Sequence, residues 1–147
     1  MFIFTYATLE DLPELLAIER TSFEHPWSKE SLAGELSDPL SSIIIAKSSS
    51  NPDICGYSCY KIIPPEAELL RVAVSPEGRR QGTAKALLNE MFSLLRLRQV
   101  VTVYLEVSET NRAAIALYKK SGFLVTGSRP GYYDHGTTAA LLLQQDL

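Results

Sequence analysis

The chain has 147 residues, 46% of them hydrophobic, with a net charge of −3 and a sequence pI near 5.4. That is enough chain for one domain, 1–147, with its own core. It holds no apolar run approaching the ~20 residues that cross a bilayer, and it lacks the basic excess of a nucleic-acid binder.

The opening residues "MFIFTYATLEDL" carry neither the basic start nor the small-residue cleavage site of a secretion signal. A cytoplasmic address, with no membrane and no direct nucleic-acid partner, is therefore expected. "MFIFTYAT" reads as a first strand, after which Thr8 caps a helix over residues 9–23. Leu12, Leu15, Leu16, Glu19 and Phe23 share one face of it. A second helix follows in "PWSKESLAGELSD", with Ser28 as N-cap and Leu32 and Leu36 on one side. Trp27, just ahead of that cap, is either a packing staple or a wall of a groove.

"SSIIIAK" and "ICGYSCYKII" make a hairpin about the polar tip "SSSNPD". Its cysteines, Cys55 and Cys59, stand ~13 Å apart on an extended strand, beyond disulfide reach. His25 and His135 are remote from them in sequence, so no metal-ligand spacing arises. "ELLRVAV" is the next strand. The helix after it has Ala84, Leu87, Leu88, Met91, Phe92 and Leu95 on a broad apolar stripe. "VVTVYLEV" has so few polar positions that it reads as a central strand covered on both faces. "NRAAIALYKKSGF" is a short helix with Asn111 at its start and Gly122 as its stop. "FLVTGS" and "TAALLLQQ" close the chain as strands around a loop over residues 129–136. The order β-α-α-β-β-β-α-β-α-β-β is that of an α/β protein, a mixed sheet with helices against it.

One stretch carries chemistry. In "VSPEGRRQGTAKALL" a strand gives way to a loop with two glycines and two arginines, and a helix starts at once. The first turn of a helix has N–H groups without intrahelical partners and a partial positive charge. Gly82 lets backbone approach a ligand closely, and Arg79 and Arg80 add charge. Such a seat suits phosphate or diphosphate. Neither G-x-x-x-x-G-K-[ST] nor G-x-G-x-x-G after a strand is present. By itself the stretch is equally a solvated, positive helix start.

The run "LLRVAVSPEGRRQGTAKALL" resembles the acyl-CoA diphosphate motif of the GNAT superfamily of N-acyltransferases, Q/R-x-x-G-x-G/A, here Arg79, Gly82 and Ala84. "EHPWSKESL" and "YLEVSETNRAAIALYKKSGF" are similar to the bacterial RimI-type ribosomal-protein-alanine N-acetyltransferases, and the likeness spans nearly the whole chain. It implies a GNAT fold: a mixed, mostly antiparallel sheet with a splayed strand pair and helices on both faces. It also implies acetyl-CoA as co-substrate and no metal. The backbone of Val72, Ala73 and Val74 would pair with the pantetheine arm. Arg80, Gln81, Gly82, Thr83, Ala84 and Lys85 would hold the diphosphate, and Asn111 would hydrogen-bond the cofactor.

Amide formation needs a neutral amine. An α-amino group has a pKa of ~7.7–8.0 against ~10.4 for lysine, a difference of about 3.4 kcal/mol, so an N-terminus is the easier amine to activate. Glu106, inside the apolar "VYLEV", is the candidate base. On burial alone it reads sooner as a strand-end carboxylate facing solvent, or one satisfied by backbone donors; by resemblance, the matching glutamate of the RimI type is the proposed base. Glu68 is the competitor. Tyr118 is core by its spacing, and by resemblance the acid that meets the departing thiolate. Tyr132 and Tyr133 resemble a tyrosine pair lining a peptide entrance. The chain departs from its relatives just after them, where Thr137 and Thr138 replace an acidic pair.

The expected function is direct acetyl transfer from acetyl-CoA to a protein N-terminus, such as that of a ribosomal protein, without an acetyl-enzyme. The rivals are a small-molecule amine or lysine as acceptor, and an acyl-CoA-binding module without turnover. All of this requires that the turn from Arg80 to Lys85 be open and that Glu106 and Tyr118 not lie on opposite sides of the sheet.

Overall fold

A computed structural model describes the backbone of residues 1–147 and every side chain except that of Asp134. Every expected element forms, in the expected order: β1 Phe2–Tyr6, α1 Leu12–Ser22, α2 Lys29–Ser37, β2 Ser41–Ser48, β3 Ile54–Ile63, β4 Glu66–Val74, α3 Thr83–Leu97, β5 Thr102–Ser108, α4 Arg112–Lys120, β6 Leu124–Tyr133 and β7 Thr138–Asp146. The start of the first helix differs slightly from expectation. Residues 9–11 form a 3-10 turn, which the Thr8 N–H closes by donating to Asp11 Oδ2 at 2.8 Å, and α1 proper begins at Leu12. Ser28 caps α2 as expected, accepting from the Ser31 N–H at 3.1 Å. Among the described residues no helix is long and apolar enough to cross a membrane.

The sheet runs β1-β2-β3-β4-β5-β7-β6, and only β4 and β5 are parallel. Two clusters sandwich it. On one face Leu87, Leu88, Met91, Phe92 and Leu95 of α3 pack with Val103, Leu105, Val107 and Phe123, and α4 leans on the same cluster. On the other, Leu12, Leu15, Leu16 and Leu32 of α1 and α2 cover Ile43, Ile45, Tyr57 and Cys59. The second face is covered only as far as β4. Strand β5 was expected to be buried on both sides, yet its pattern alternates, with Val103, Leu105 and Val107 buried and Tyr104 and Glu106 not. Among the described residues no helix lies over the face these two occupy.

Two bulges break the alternation of side chains, each by one extra residue. The register between β2 and β3 shifts after Ala46, opposite Cys55. Cys55 therefore joins the α3 side and donates its thiol to Ala46 O at 3.0 Å, while Cys59 lies in the α1–α2 cluster. Both cysteines are free. Between β3 and β4 the pairs go from Cys59↔Arg71 to Tyr60↔Leu69, which leaves Leu70 as the extra residue. Leu69 packs toward α3; without the bulge Arg71 would do the same, and with it Arg71 faces α1.

The loop after β4 is tied down from within. The Ser75 hydroxyl accepts from the Gly78 N–H at 3.1 Å, and Thr83 Oγ1 donates to Gly78 O at 2.8 Å. Gly78 has no room for a side chain, because a Cβ there would lie 2.6 Å from Cys55 O and 2.9 Å from Cys55 Cβ. Gly78→Ala is expected to destabilise the fold by about 1–3 kcal/mol, the usual effect of overpacking. An unchanged denaturant midpoint would show that this loop is not held as described.

Candidate active site

Strands β4 and β5 pair over Glu66↔Thr102, Ala67↔Val103 and Glu68↔Tyr104, and then diverge. Beyond Glu68, β4 keeps its bonds to β3, but its other edge is open. The backbone of Val72, Ala73 and Val74 lies on that open stretch, available to an extended ligand as a further strand would be. The end of the stretch is partly engaged, since Val74 O accepts from Arg79 Nε at 3.3 Å.

The gap leads to the start of α3. Gly82 sits at the N-cap with φ 76°, and a Cβ built on it would meet nothing within 4 Å. Thr83, Ala84 and Lys85 follow with the first-turn N–H groups that a helix cannot satisfy internally. An anion fits here: the donors are in place, and the space in front of Gly82 is open. Arg80, with φ 63°, and Gln81 are exposed on the rim. The Gln81 side chain braces the turn by donating to Glu77 O at 3.0 Å. Arg79 was expected among the anion-binding charges, but its guanidinium folds back, donating to Val74 O and, at 3.1 Å, to Thr21 O. It joins the loop to the end of α1.

Asn111 caps α4, with Oδ1 accepting from the Ala114 N–H at 3.2 Å. Its carbonyl oxygen is thus committed, and the amide NH₂ is the part left to meet a ligand. Two turns on, Tyr118 packs edge-on against Phe123, ring centroids 5.8 Å apart. Burial pushes its hydroxyl up to about 12, and the positive charge of Arg71 works against that rise. Tyr118 belongs to the α3 face of the sheet.

Glu106 belongs to the other face. Its side chain alternates with Leu105 and Val107, and it lines a groove of about 480 Å³ with Glu68, Tyr104, Arg129 and Leu142. Arg129 Nη2 reaches Glu106 Oε1 at 3.2 Å. Glu68 lines the same groove, exposed, at the last β4–β5 pair. Glu106 and Tyr118 therefore lie on opposite faces of the sheet, against the expectation that they share one side, because Glu106 alternates with Leu105 and Val107 on β5; the divergence of β4 from β5 is the one opening between the two faces there.

The segment around Tyr132 and Tyr133 differs from the expected loop. Strand β6 runs on through Tyr133, with a register shift between Arg129 and Tyr133 in its pairing to β7. The two rings stand at 87° with centroids 4.9 Å apart, and the Arg129 guanidinium lies 5.8 Å from the Tyr132 ring centre. Tyr132 is exposed, whereas the Tyr133 hydroxyl is pushed up by burial and by the nearby charges of Glu106 and Tyr132, and drawn down by Arg71. Thr138 is buried at the start of β7.

Two participants are not apparent from the sequence. Arg71 holds Glu19 in an ion pair, Nε to Oε1 at 3.3 Å, and stacks on Phe23 and Trp27 at 4.0 and 4.7 Å from the ring centres. Trp27 is a packing residue that also stacks on this cation. Arg129, the partner of Glu106, was read only as part of a loop. A larger cavity of about 640 Å³ lies between α1, the β2–β3 turn and the turn after β4, and it contains none of Glu106, Tyr118 or Tyr133. Size alone does not select a site. The chemistry-bearing candidates lie elsewhere: Glu106 lines the smaller groove, the β4 edge is open beyond Glu68, and the space in front of Gly82 is free.

Residues 10–123 match the model of the Acetyltransferase (GNAT) family. The [ribosomal protein bS18]-alanine N-acetyltransferase of Escherichia coli K12 is 34% identical over 131 residues, 88% of this chain and 86% of the relative. The crystal structure of the Escherichia coli ribosomal-protein-S18-alanine N-acetyltransferase superposes with a TM-score of 0.90 at 30% identity, covering 99% of this chain and 94% of the other. A ribosomal-protein-alanine N-acetyltransferase from Brucella melitensis gives 0.82 at 25% identity, covering 99% of both chains.

Proposed function

The chain belongs to the GNAT acetyltransferase family, and we propose that it transfers the acetyl group of acetyl-CoA directly to the N-terminal amine of a protein. The acceptor named for its relatives, the N-terminal alanine of ribosomal protein bS18, is the acceptor proposed here. The observation that carries this reading is the gap between β4 and β5, with Glu106 on one side, Tyr118 on the other and the Gly82 seat at its end.

In this reading the N–H groups at the start of α3 bind the diphosphate and the open edge of β4 aligns the pantetheine arm, with the Asn111 amide beside them. Acetyl-CoA supplies an activated thioester. An N-terminus enters along the groove of Glu106, past Tyr132 and Tyr133. The groove is open to a chain end and lies on the sheet face that no helix covers, so the rest of an acceptor protein has room outside it. Glu106 takes a proton from the arriving ammonium, directly or through water, and the freed amine attacks the thioester carbon. As the tetrahedral intermediate collapses the C–S bond breaks, and the proton left on the nitrogen passes to solvent or to the departing sulfur. Backbone donors of β4 meet the oxyanion. Tyr118, protonated throughout the working range, donates a hydrogen bond to the leaving thiolate. The buried Cys59 thiol lies in the α1–α2 cluster and Cys55 behind the β2–β3 bulge, so neither serves as a nucleophile.

A panel of peptides with free and blocked N-termini tests this. Acetylation is expected only on free N-termini, with a small first residue preferred. Equal turnover of blocked peptides through lysine, or of small amines, would overturn the acceptor assignment. Binding of CoA without transfer to any acceptor would overturn the enzyme assignment.

A further inference from the structure

Glu19 is fully buried, stands on a helix face otherwise made of leucine and isoleucine, and has no part in the reaction above. A carboxylate away from water needs partners, and those of Glu19 come from three directions. The Tyr57 hydroxyl donates to it from β3, the Trp27 N–H donates at 3.1 Å from the connection between α1 and α2, and Arg71 pairs with it from β4. Arg71 continues the chain of contacts. Its guanidinium faces the rings of Phe23 and Trp27, and its Nη2 donates to His25 O at 3.2 Å. The loop contacts of the pair all fall in residues 23–27. Arg71 itself is on the stretch of β4 that has left β5, and it faces this side because of the Leu70 bulge.

We infer that Glu19 and Arg71 are positioning residues that latch residues 23–27 onto the open stretch of β4, making the loop a fixed wall on the acceptor's side of the gap. The latch lies on the face of the sheet that Glu106 occupies. The anion seat is elsewhere, at the start of α3, and β4 is held in place by β3 whether or not the latch is closed. Losing the latch should therefore weaken the acceptor and spare the cofactor. The residue types suit the task. A planar guanidinium can lie between two rings while its fork reaches a carboxylate and a carbonyl at once, and a lysine ammonium cannot do both. The inference rests on the acetyl-transfer reading only for which ligand uses this side.

Trp27 is the one tryptophan in the chain, so its fluorescence reports the latch directly. In Arg71→Lys the KM for an acceptor peptide should rise about tenfold, the worth of one charge-assisted hydrogen bond. At the same time kcat and CoA affinity should stay within about twofold, the pattern of lost acceptor binding alone. Acrylamide should quench Trp27 more readily than in the wild type. The double variant Glu19→Gln with Arg71→Gln removes both charges without stranding either one and should behave the same way in a folded protein. Unchanged quenching, an unchanged acceptor KM, or acceptor and CoA affinities falling together would each overturn the latch. If the wild type acetylates no peptide, the proposed function fails, while quenching and CoA binding still decide whether the latch exists.

Discussion

Glu106→Gln is expected to lower kcat about 10²–10⁴-fold, the range for removing a general base, with little change in the affinity for acetyl-CoA. The substitution keeps the shape of the side chain and its place between Leu105 and Val107, so stability should hold. Glu68→Gln is the control, because Glu68 shares the groove but sits at the closed end of the gap, and its loss should be slight. A reversal of the two effects would make Glu68 the base. The pH dependence provides a second check. An α-amine is mostly protonated below its pKa of ~7.7–8.0 and mostly neutral above it. The base is needed on the acid side of that range, so wild type and variant should converge as pH rises past it. Tyr118 should not interfere, since burial pushes its hydroxyl up to about 12 and it remains a donor throughout. A deficit as deep above pH 9 as at neutral pH would mean that Glu106 does something other than remove a proton.

Gly82→Val carries the second large effect. The residue has φ 76° and open space where a side chain would go. A β-branched residue in that conformation is strained by roughly 1–2 kcal/mol, and its methyl groups would stand in the space assigned to the diphosphate. Losing one or two charge-assisted hydrogen bonds there should weaken CoA by about 100-fold. Calorimetry with CoA reads this directly, and thermal unfolding separates it from the strain. Gly82→Ala should show the same trend more weakly. CoA binding to Gly82→Val as tightly as to the wild type would remove the anion seat, and with it the orientation of everything else in the gap.

Much of the architecture was legible in the sequence because the signals were local. Ser28 and Asn111 announce helix starts, Gly122 a stop, and the stripe from Leu87 to Leu95 a buried helix face. The loop that opens into a helix at Gly82 also reads locally, from its glycines and the apolar stripe that follows. What could not be read depends on partners far along the chain. Nothing near Leu70 signals that it will bulge, yet that one residue decides which side Arg71 faces. Glu19 was visible on an apolar face, but its ion-pair partner lies on a strand about fifty residues later. Strand β5 looked buried on both sides because its polar positions are few; the missing cover depends on where α1 and α2 come to rest. The stretch from Arg129 to Tyr133, with its proline and glycine, read as a loop and instead continues β6, because β7 offers it a pairing edge through a bulge.

The parting of β4 from β5 also sets the anion seat and the candidate base on different stretches of the chain. The anion seat and the open edge come from residues before 86, while Glu106, Tyr118 and the tyrosine pair all come after 105. Only three registered residue pairs join the two halves across that seam. In the proposed reading, substitutions at Tyr132 and Tyr133 can therefore retune which chain end is accepted while leaving the Gly82 seat in place, so a lineage of such enzymes can change clients without relearning its reagent.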